Sequence, residues 1–328
     1  MPAPLVDPFG RPILYLRISV TPVCNLRCSY CQPDGPLKAA RGEDLSPEEI
    51  ARIASVFLRL GARKIRITGG EPTLRKDLVE ITARLAALPG LEDLSLSTHG
   101  MHLAPLAERL KAAGLKRVNV SLDTLRRERF AAIAGKDALP EVLAGVRAAR
   151  EAGLGPIKIN TVPQRGVNDD ELGELIAFAR EQEAELRFIE LMPLAPTLSY
   201  HERRRLCGEE LLALLAEHGS WELEEHRATD GPARRYRRKE DGMRVGIIDP
   251  LGPRFCENCN RVRITARGEL RNCLFGLENV PLRPCLEGDD WESRLEETLR
   301  RAILDKPEKH RLELLDTGRL DSLVRVGG

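Results

Sequence analysis

Six of the eight cysteines fall into two triads, and thiols in such groups point to metal chemistry. The first triad, Cys24, Cys28 and Cys31, has the spacing CxxxCxxC. The second is Cys256 and Cys259 in a CxxC pair, followed by Cys273 after thirteen intervening residues. In a chain of 328 residues this grouping reads as ligation rather than as the disulfide framework of a short secreted domain. Thiolates are soft ligands that favour iron–sulfur clusters or zinc, and a cubane cluster normally takes four. Each triad supplies only three. The remaining position is filled either by another side chain, as in a closed zinc site, or by an exogenous chelating molecule at an open iron. Cys207 and Cys285 stand apart and read as ordinary thiols.

The elements that must position these thiols follow from periodicity. Over the first two thirds, short apolar or β-branched runs alternate with helical patterns, the signature of a parallel sheet wrapped by helices. Strands are predicted at 13–18, 64–68, 93–97, 117–121, 157–162 and 186–191. Ser46-Pro47-Glu48-Glu49 offers a capping hydroxyl, a proline at the first helical position and a glutamate at the third, and Gly61 ends the helix. Asn168-Asp169-Asp170-Glu171 is expected to open another helix in the same way, while Gly114 and Gly153 sit where helices end.

Six strand–helix units precede a change of pattern near residue 200. The expected fold is therefore α/β, a partial (β/α)6 TIM-like barrel over residues 1–220 with a smaller C-terminal domain containing antiparallel strands over 221–328. A doubly wound open sheet fits the same periodicity. The first triad directly follows the first strand, at the C-terminal face where such folds place their chemistry. In the later region, 233–239 and 243–248 flank an Asp241-Gly242 turn and form a hairpin.

A formal net charge of +1 with 31% charged residues gives no global field toward nucleic acid or an anionic membrane. No apolar segment approaches the roughly 20 residues of a membrane helix, and the first residues lack a secretory pattern, so a cytoplasmic protein is expected. The basic run 234–239 resembles a nucleic-acid patch. In a strand, however, its charges alternate between faces beside Glu240 and Asp241, and a solvated hairpin is expected instead.

CxxxCxxC with Tyr30 before its last cysteine resembles the radical S-adenosylmethionine superfamily, in which the cofactor's amino and carboxylate groups occupy the open iron. Gly69-Gly70-Glu71-Pro72, straight after the second strand, matches that superfamily's GGEP loop. Nearly the whole chain is similar to one branch, the GTP 3′,8-cyclase family that begins molybdenum cofactor biosynthesis. The similarity includes Asn119-Val120-Ser121-Leu122-Asp123, Lys158-Ile159-Asn160-Thr161-Val162, Arg187-Phe188-Ile189-Glu190-Leu191-Met192 and the stretch 255–263.

The resemblance implies two [4Fe-4S] clusters on the two triads, cleavage of S-adenosylmethionine, and cyclisation of GTP to (8S)-3′,8-cyclo-7,8-dihydroguanosine 5′-triphosphate. It also implies an electron donor, a homodimer and hand-off of product to a downstream molybdopterin-precursor synthase. Carried over by residue, Tyr30, Gly70, Ser121 and Met192 contact S-adenosylmethionine. Arg17, Arg66, Ser97, Lys158, Arg261, Val262 and Arg263 contact GTP. Arg17, Arg261 and Arg263 serve catalysis together with the terminal Gly327 and Gly328, a tail that inserts toward the active site in this family. Arginine forks and a lysine at strand positions suit a triphosphate of roughly four negative charges. One departure stands out: Ser97-Thr98-His99-Gly100 replaces the usual Thr-Thr-Asn-Gly, and His99 is expected to be a satisfied polar residue rather than a metal ligand. Two rival readings are a radical enzyme that modifies a peptide and a zinc-dependent nucleic-acid module. Arg261 and Arg263, set between second-triad cysteines, favour an anionic nucleotide.

Overall fold

In the computed structural model, which describes residues 3–32, 44–225, 230–252, 254–276, 279–314, 316–317 and 322–326, the first six strands are β1 (Tyr15–Ser19), β2 (Lys64–Thr68), β3 (Asp93–Thr98), β4 (Arg117–Ser121), β5 (Lys158–Thr161) and β6 (Glu185–Ile189). They pair in parallel in sequence order. Apolar and polar residues alternate along them. Leu16, Ile18, Ile65, Ile67, Leu94, Leu96, Val118, Val120, Ile159, Leu186 and Phe188 are at most 1% exposed and share one core cluster.

The residues between them, Arg17, Arg66, Ser97, Asn119, Ser121, Asn160 and Arg187, line a cavity on the opposite face. Successive strand residues point to opposite faces, so the apolar side meets the helices and the polar side faces a hollow. A cavity touched by all six strands requires the sheet to curl round it, which is the partial barrel rather than the open sheet. Complete barrels fill that interior with aliphatic side chains; this one is lined for a polar guest.

Helices α1 (Pro47–Arg59), α2 (Leu78–Ala86), α3 (Ala107–Ala112), α4 (Arg127–Ala134), α5 (Leu139–Glu151) and α6 (Leu172–Glu181) bury their apolar stripes in the same core. The capping box of α1 forms as expected: Ser46 Oγ accepts from Glu49 N at 3.1 Å, and Glu49 Oε2 accepts from Ser46 N at 2.7 Å. Asn168 does not cap. A 3-10 turn, Asp169–Glu171, precedes α6, and Asn168 is used elsewhere. Its Oδ1 accepts from Gln164 N, and its Nδ2 donates to Asp123 O and Val162 O, fastening the loops after β4 and β5 to each other.

The remaining elements are α7 (Leu198–Arg204), α8 (Gly208–Ala216), β7 (Trp221–Leu223), β8 (Arg234–Arg238), β9 (Arg244–Ile248), β10 (Arg261–Ile264), β11 (Glu269–Arg271), β12 (Val280–Pro281) and α9 (Trp291–Leu304). They continue the sheet at both edges. β9 joins β6 and β10 joins β1, both in parallel, and antiparallel strands complete each side in the order β12-β11-β10-β1-β2-β3-β4-β5-β6-β9-β8-β7.

The cations of the hairpin run are each paired: Arg234 with Asp249, Arg235 with Asp230, Arg237 and Lys239 with Glu222, and Arg238 with Asp241. That run is not a free basic patch. Of the lone cysteines, Cys207 caps α8 and Cys285 Sγ lies 3.4 Å from Thr298 Oγ1. Among the described residues no helix is long and apolar enough to cross a membrane.

Candidate active site

Topology sets the two triads at opposite ends of the strands that line the hollow. Cys24 follows the last residue of β1, whereas Cys256 and Cys259 precede the first residue of β10, its parallel neighbour in the register Tyr15 to Arg261 and Arg17 to Arg263. The antiparallel return of β11 brings Cys273 back to the end where Cys259 lies. A strand the length of β1 spans roughly 17 Å, which sets the scale of the separation.

The first triad's loop is tied down on both sides. Arg27 N and Ser29 N donate to Ala134 O and Ile133 O at the end of α4, and Cys31 N and Gln32 N donate to Cys28 O. Opposite, Gly70 N donates to Thr21 O and Glu71 N to Val23 O, both at 2.7 Å. A Cβ on Gly69 would lie 2.6 Å from Thr21 O, and one on Gly70 would lie 2.3 Å from Val23 O, so only glycines let these loops meet. The Glu71 carboxylate is fully engaged by its own loops, accepting from Thr73 N, Thr73 Oγ1, Thr98 Oγ1 and His99 N.

His99 is the satisfied polar residue expected. Met101 N donates to its Nδ1, which leaves Nε2 to donate to Asn25 Oδ1 at 2.8 Å, beside Cys24. Burial depresses the pKa of His99, with Glu71 opposing, so the ring is neutral. Tyr30 donates its hydroxyl to Asp123 Oδ2 at 2.7 Å, and Val162 N donates to Asp123 Oδ1. At the chain's other end, Ser322 Oγ donates to Cys31 O, and Leu323 and Val324 help wall the cavity.

Burial pushes the Cys24 thiol up to about 11 and Cys31 up to about 12, and burial together with the field of its partners raises Cys28 well above its usual value. Three soft sulfurs in mutual electrostatic reach, three thiols where a cubane cluster takes four ligands, fit a cluster with one open iron. Among the described residues no three His, Cys, Asp or Glu side chains are placed to hold a single ion. The second triad has a different field. Burial raises Cys256 and Cys273, but at Cys259 Arg261 and Lys306 outweigh burial and hold the thiol down to about 6. Its donor set is again three thiols, and it fits the same kind of group.

Between the triads lies a belt of cations. Arg263, Arg17 and Arg66 are direct neighbours across β10, β1 and β2. Arg261 and Arg187, the latter paired with Glu185 at 2.6 Å, also line the cavity; among the described lining residues the carboxylates are Glu71 and Glu190, already bonded to Thr98 and to Arg205. Burial and neighbouring cations depress the three guanidinium groups of the row: Arg66 falls to about 9, Arg263 well below its usual value, and Arg17 is lowered too. Cations that weaken one another in a low-dielectric hollow form a site that an anion relieves.

The sequence-derived residues distribute as follows. Tyr30, Gly70, Ser121 and Met192 line the cavity at the ends of their strands nearest the first triad. Arg17, Arg66, Ser97, Arg261 and Arg263 line it between the triads. Lys158 shares the inward face of β5 with Asn160 and stands in register with Asn119; it is 3.7 Å from Glu185, and burial beside Arg187 lowers it to about 7. Val262 requires correction as a side-chain contact: strand alternation turns it away from Arg261 and Arg263, into the core at 1% exposure. Gly327 and Gly328 lie outside the described residues. Sequence reasoning missed Arg187, Asn119 and Asn160, although each occupies the inward position of its strand; Asn119 Nδ2 and Asn160 Oδ1 are buried and have no hydrogen-bond partner among the described residues.

Residues 18–179 match the Radical SAM superfamily and 184–312 match Molybdenum Cofactor Synthesis C. The chain is 43% identical over 324 residues to a GTP 3′,8-cyclase of Stenotrophomonas maltophilia, covering 99% of both chains. It is 44% identical over 311 residues to GTP 3′,8-cyclase 2 of Pseudomonas aeruginosa, covering 94% of each. Among solved structures, Streptococcus suis SuiB bound to S-adenosylmethionine superposes with a TM-score of 0.65 at 15% identity, covering 90% of this chain and 69% of that one, a likeness of fold. With full-length identity of this order, the chain belongs to the GTP 3′,8-cyclase family of radical S-adenosylmethionine enzymes.

Proposed function

We propose that this chain cyclises GTP to (8S)-3′,8-cyclo-7,8-dihydroguanosine 5′-triphosphate, an early step of molybdenum cofactor biosynthesis. It does so with S-adenosylmethionine and an iron–sulfur cluster on Cys24, Cys28 and Cys31, and with a second [4Fe-4S] cluster on Cys256, Cys259 and Cys273. The observation that carries this reading is the row Arg263, Arg17 and Arg66, in register on adjacent strands inside a cavity that the first triad lines and that reaches Phe255, Arg261 and Leu274, sequence neighbours of the second. Like charges side by side on a sheet are destabilising. A triphosphate offsets that cost.

Once bound, the reduced cluster and S-adenosylmethionine supply the one-electron chemistry that opens a C–H bond. The chain's own residues bind and orient. Tyr30, Gly70, Ser121 and Met192 are assigned to the cofactor; Arg17, Arg66, Lys158, Arg261 and Arg263 to the phosphates; and Ser97 to the nucleoside, with Arg187 added to the phosphate group. Leu274, Leu323 and Val324 give the cavity an apolar wall that excludes water. Functionally, residues 1–220 carry the first cluster, and 221–328 carry the second cluster and the Gly327-Gly328 tail, whose removal is expected to stop turnover. On family grounds we assign a cytoplasmic homodimer fed by a one-electron donor, passing product to a molybdopterin-precursor synthase.

The test is anaerobic incubation with S-adenosylmethionine, a strong reductant and GTP or ATP. 5′-Deoxyadenosine formed with GTP but not with ATP, together with an altered isomer of GTP by mass spectrometry, supports the reading. Cofactor cleavage with GTP unaltered discards the substrate.

A further inference from the structure

Lys306, just beyond α9, is 3% exposed. A buried ammonium needs acceptors, and it has three: Asn272 O at 2.8 Å, Arg261 O at 3.2 Å and Cys259 Sγ at 3.6 Å. All three lie on the two segments that carry the second triad. Cys259 and Arg261 belong to the stretch entering β10, and Asn272 adjoins Cys273 on the stretch leaving β11.

The segment that holds Lys306 is itself anchored. Asn272 Nδ2 donates to Ala302 O at 2.6 Å. Arg11, fixed by Asp7 at 2.6 Å, donates to Pro307 O at 2.7 Å, to Glu308 O at 2.6 Å and to Cys256 O at 2.8 Å. One basic side chain thus touches the Cys259 segment and the Cys273 segment, and a second reaches the Cys256 carbonyl.

We propose that Lys306 is a positioning residue for the second cluster: its ammonium clamps the two ligand-bearing segments together, and its charge on the Cys259 sulfur draws the cluster's reduction potential upward. Reduction adds negative charge to a cluster, and a donor and a positive charge at a ligating sulfur favour the reduced form. The inference rests on the second triad being a cluster site.

The full-length chain with Cys24, Cys28 and Cys31 all changed to alanine holds only the second cluster, so iron content and an EPR-monitored redox titration report on that cluster alone. Lys306→Met in this background is expected to shift the midpoint potential downward and to release iron to a chelator roughly 10-fold more readily or worse. Lys306→Arg, which keeps the charge, is expected to recover the potential. Potential and iron retention both unchanged in Lys306→Met would overturn the proposal. If that variant does not fold, Lys306→Gln keeps a donor without the charge; a lowered potential supports the proposal and an unchanged one refutes it. A parent that binds no iron at all sinks the second-cluster reading instead, so the two failures are distinguishable.

Discussion

Gly70 packs against Val23 so closely that a Cβ on the glycine would stand 2.3 Å from the valine carbonyl oxygen. The loop after β2 and the loop of the first triad are joined here by backbone hydrogen bonds, Gly70 N to Thr21 O and Glu71 N to Val23 O. The position of Cys24 therefore depends on a residue in another loop.

Gly70→Ala forces these loops apart. Overpacking of this kind costs typically about 1–3 kcal/mol, and the loop that must yield carries the first triad. The expected outcome is a lowered Tm and loss of S-adenosylmethionine cleavage, with iron at the second triad retained. Normal cleavage by the variant would show that the contact is dispensable.

Arg263→Ala breaks the row of three guanidinium groups at its β10 end. Removing one charge-assisted hydrogen bond costs about 1.5–3 kcal/mol. Calorimetry should therefore show GTP affinity reduced roughly 10- to 100-fold, a shallower salt dependence and unchanged affinity for S-adenosylmethionine. Equal loss for both ligands would point to a collapsed cavity rather than to a lost phosphate contact.

Asp123 carries a pH signature. Burial pushes its carboxyl up to about 6, with Val162 N and Tyr30 Oη opposing. A carboxyl raised in the folded state stabilises the fold below its unfolded value of 3.8, and that contribution is lost as pH rises through about 6. Urea unfolding of the metal-free chain should show stability falling by on the order of 2–3 kcal/mol across this window. Asp123→Asn should flatten the profile. Tyr30→Phe, which removes a donor to the carboxylate, should move the midpoint higher. An identical slope in Asp123→Asn would reject the assignment.

The triads, the capping box of α1 and strands β2 and β4 were legible because each is a local pattern: a spacing, a cap, an alternation. The polar cavity is legible in the same alternation. A parallel strand wrapped by helices should be apolar on both faces, yet Lys64–Thr68 and Arg261–Ile264 place a polar residue at every second position. That signal separates Arg187 from Phe188, and it turns Val262 away from its neighbours. Lys306 and Arg11 left no local trace. Arg11 reaches the Cys256 carbonyl across 245 residues of sequence, where β1 pairs with β10, and Lys306 reaches Cys259 Sγ across 47, where the chain returns after α9. Asn168 has the residue type and place of a cap, but two loops compete for its amide and win.

The two triads should fail differently. Cys24→Ala is expected to abolish S-adenosylmethionine cleavage. Cys256→Ala is expected to keep slow cleavage uncoupled from GTP and to make no cyclised nucleotide. Chromatographic measurement of 5′-deoxyadenosine in both variants separates the roles, and equal cleavage activity would contradict this division.

The most direct measurement is iron, acid-labile sulfide and zinc in the anaerobically purified chain, beside variants in which one whole triad is alanine. Two clusters predict about eight irons per chain in the parent and about four in each variant. Zinc in place of iron, or iron unchanged when Cys256, Cys259 and Cys273 are removed, would contradict a cavity set between two clusters.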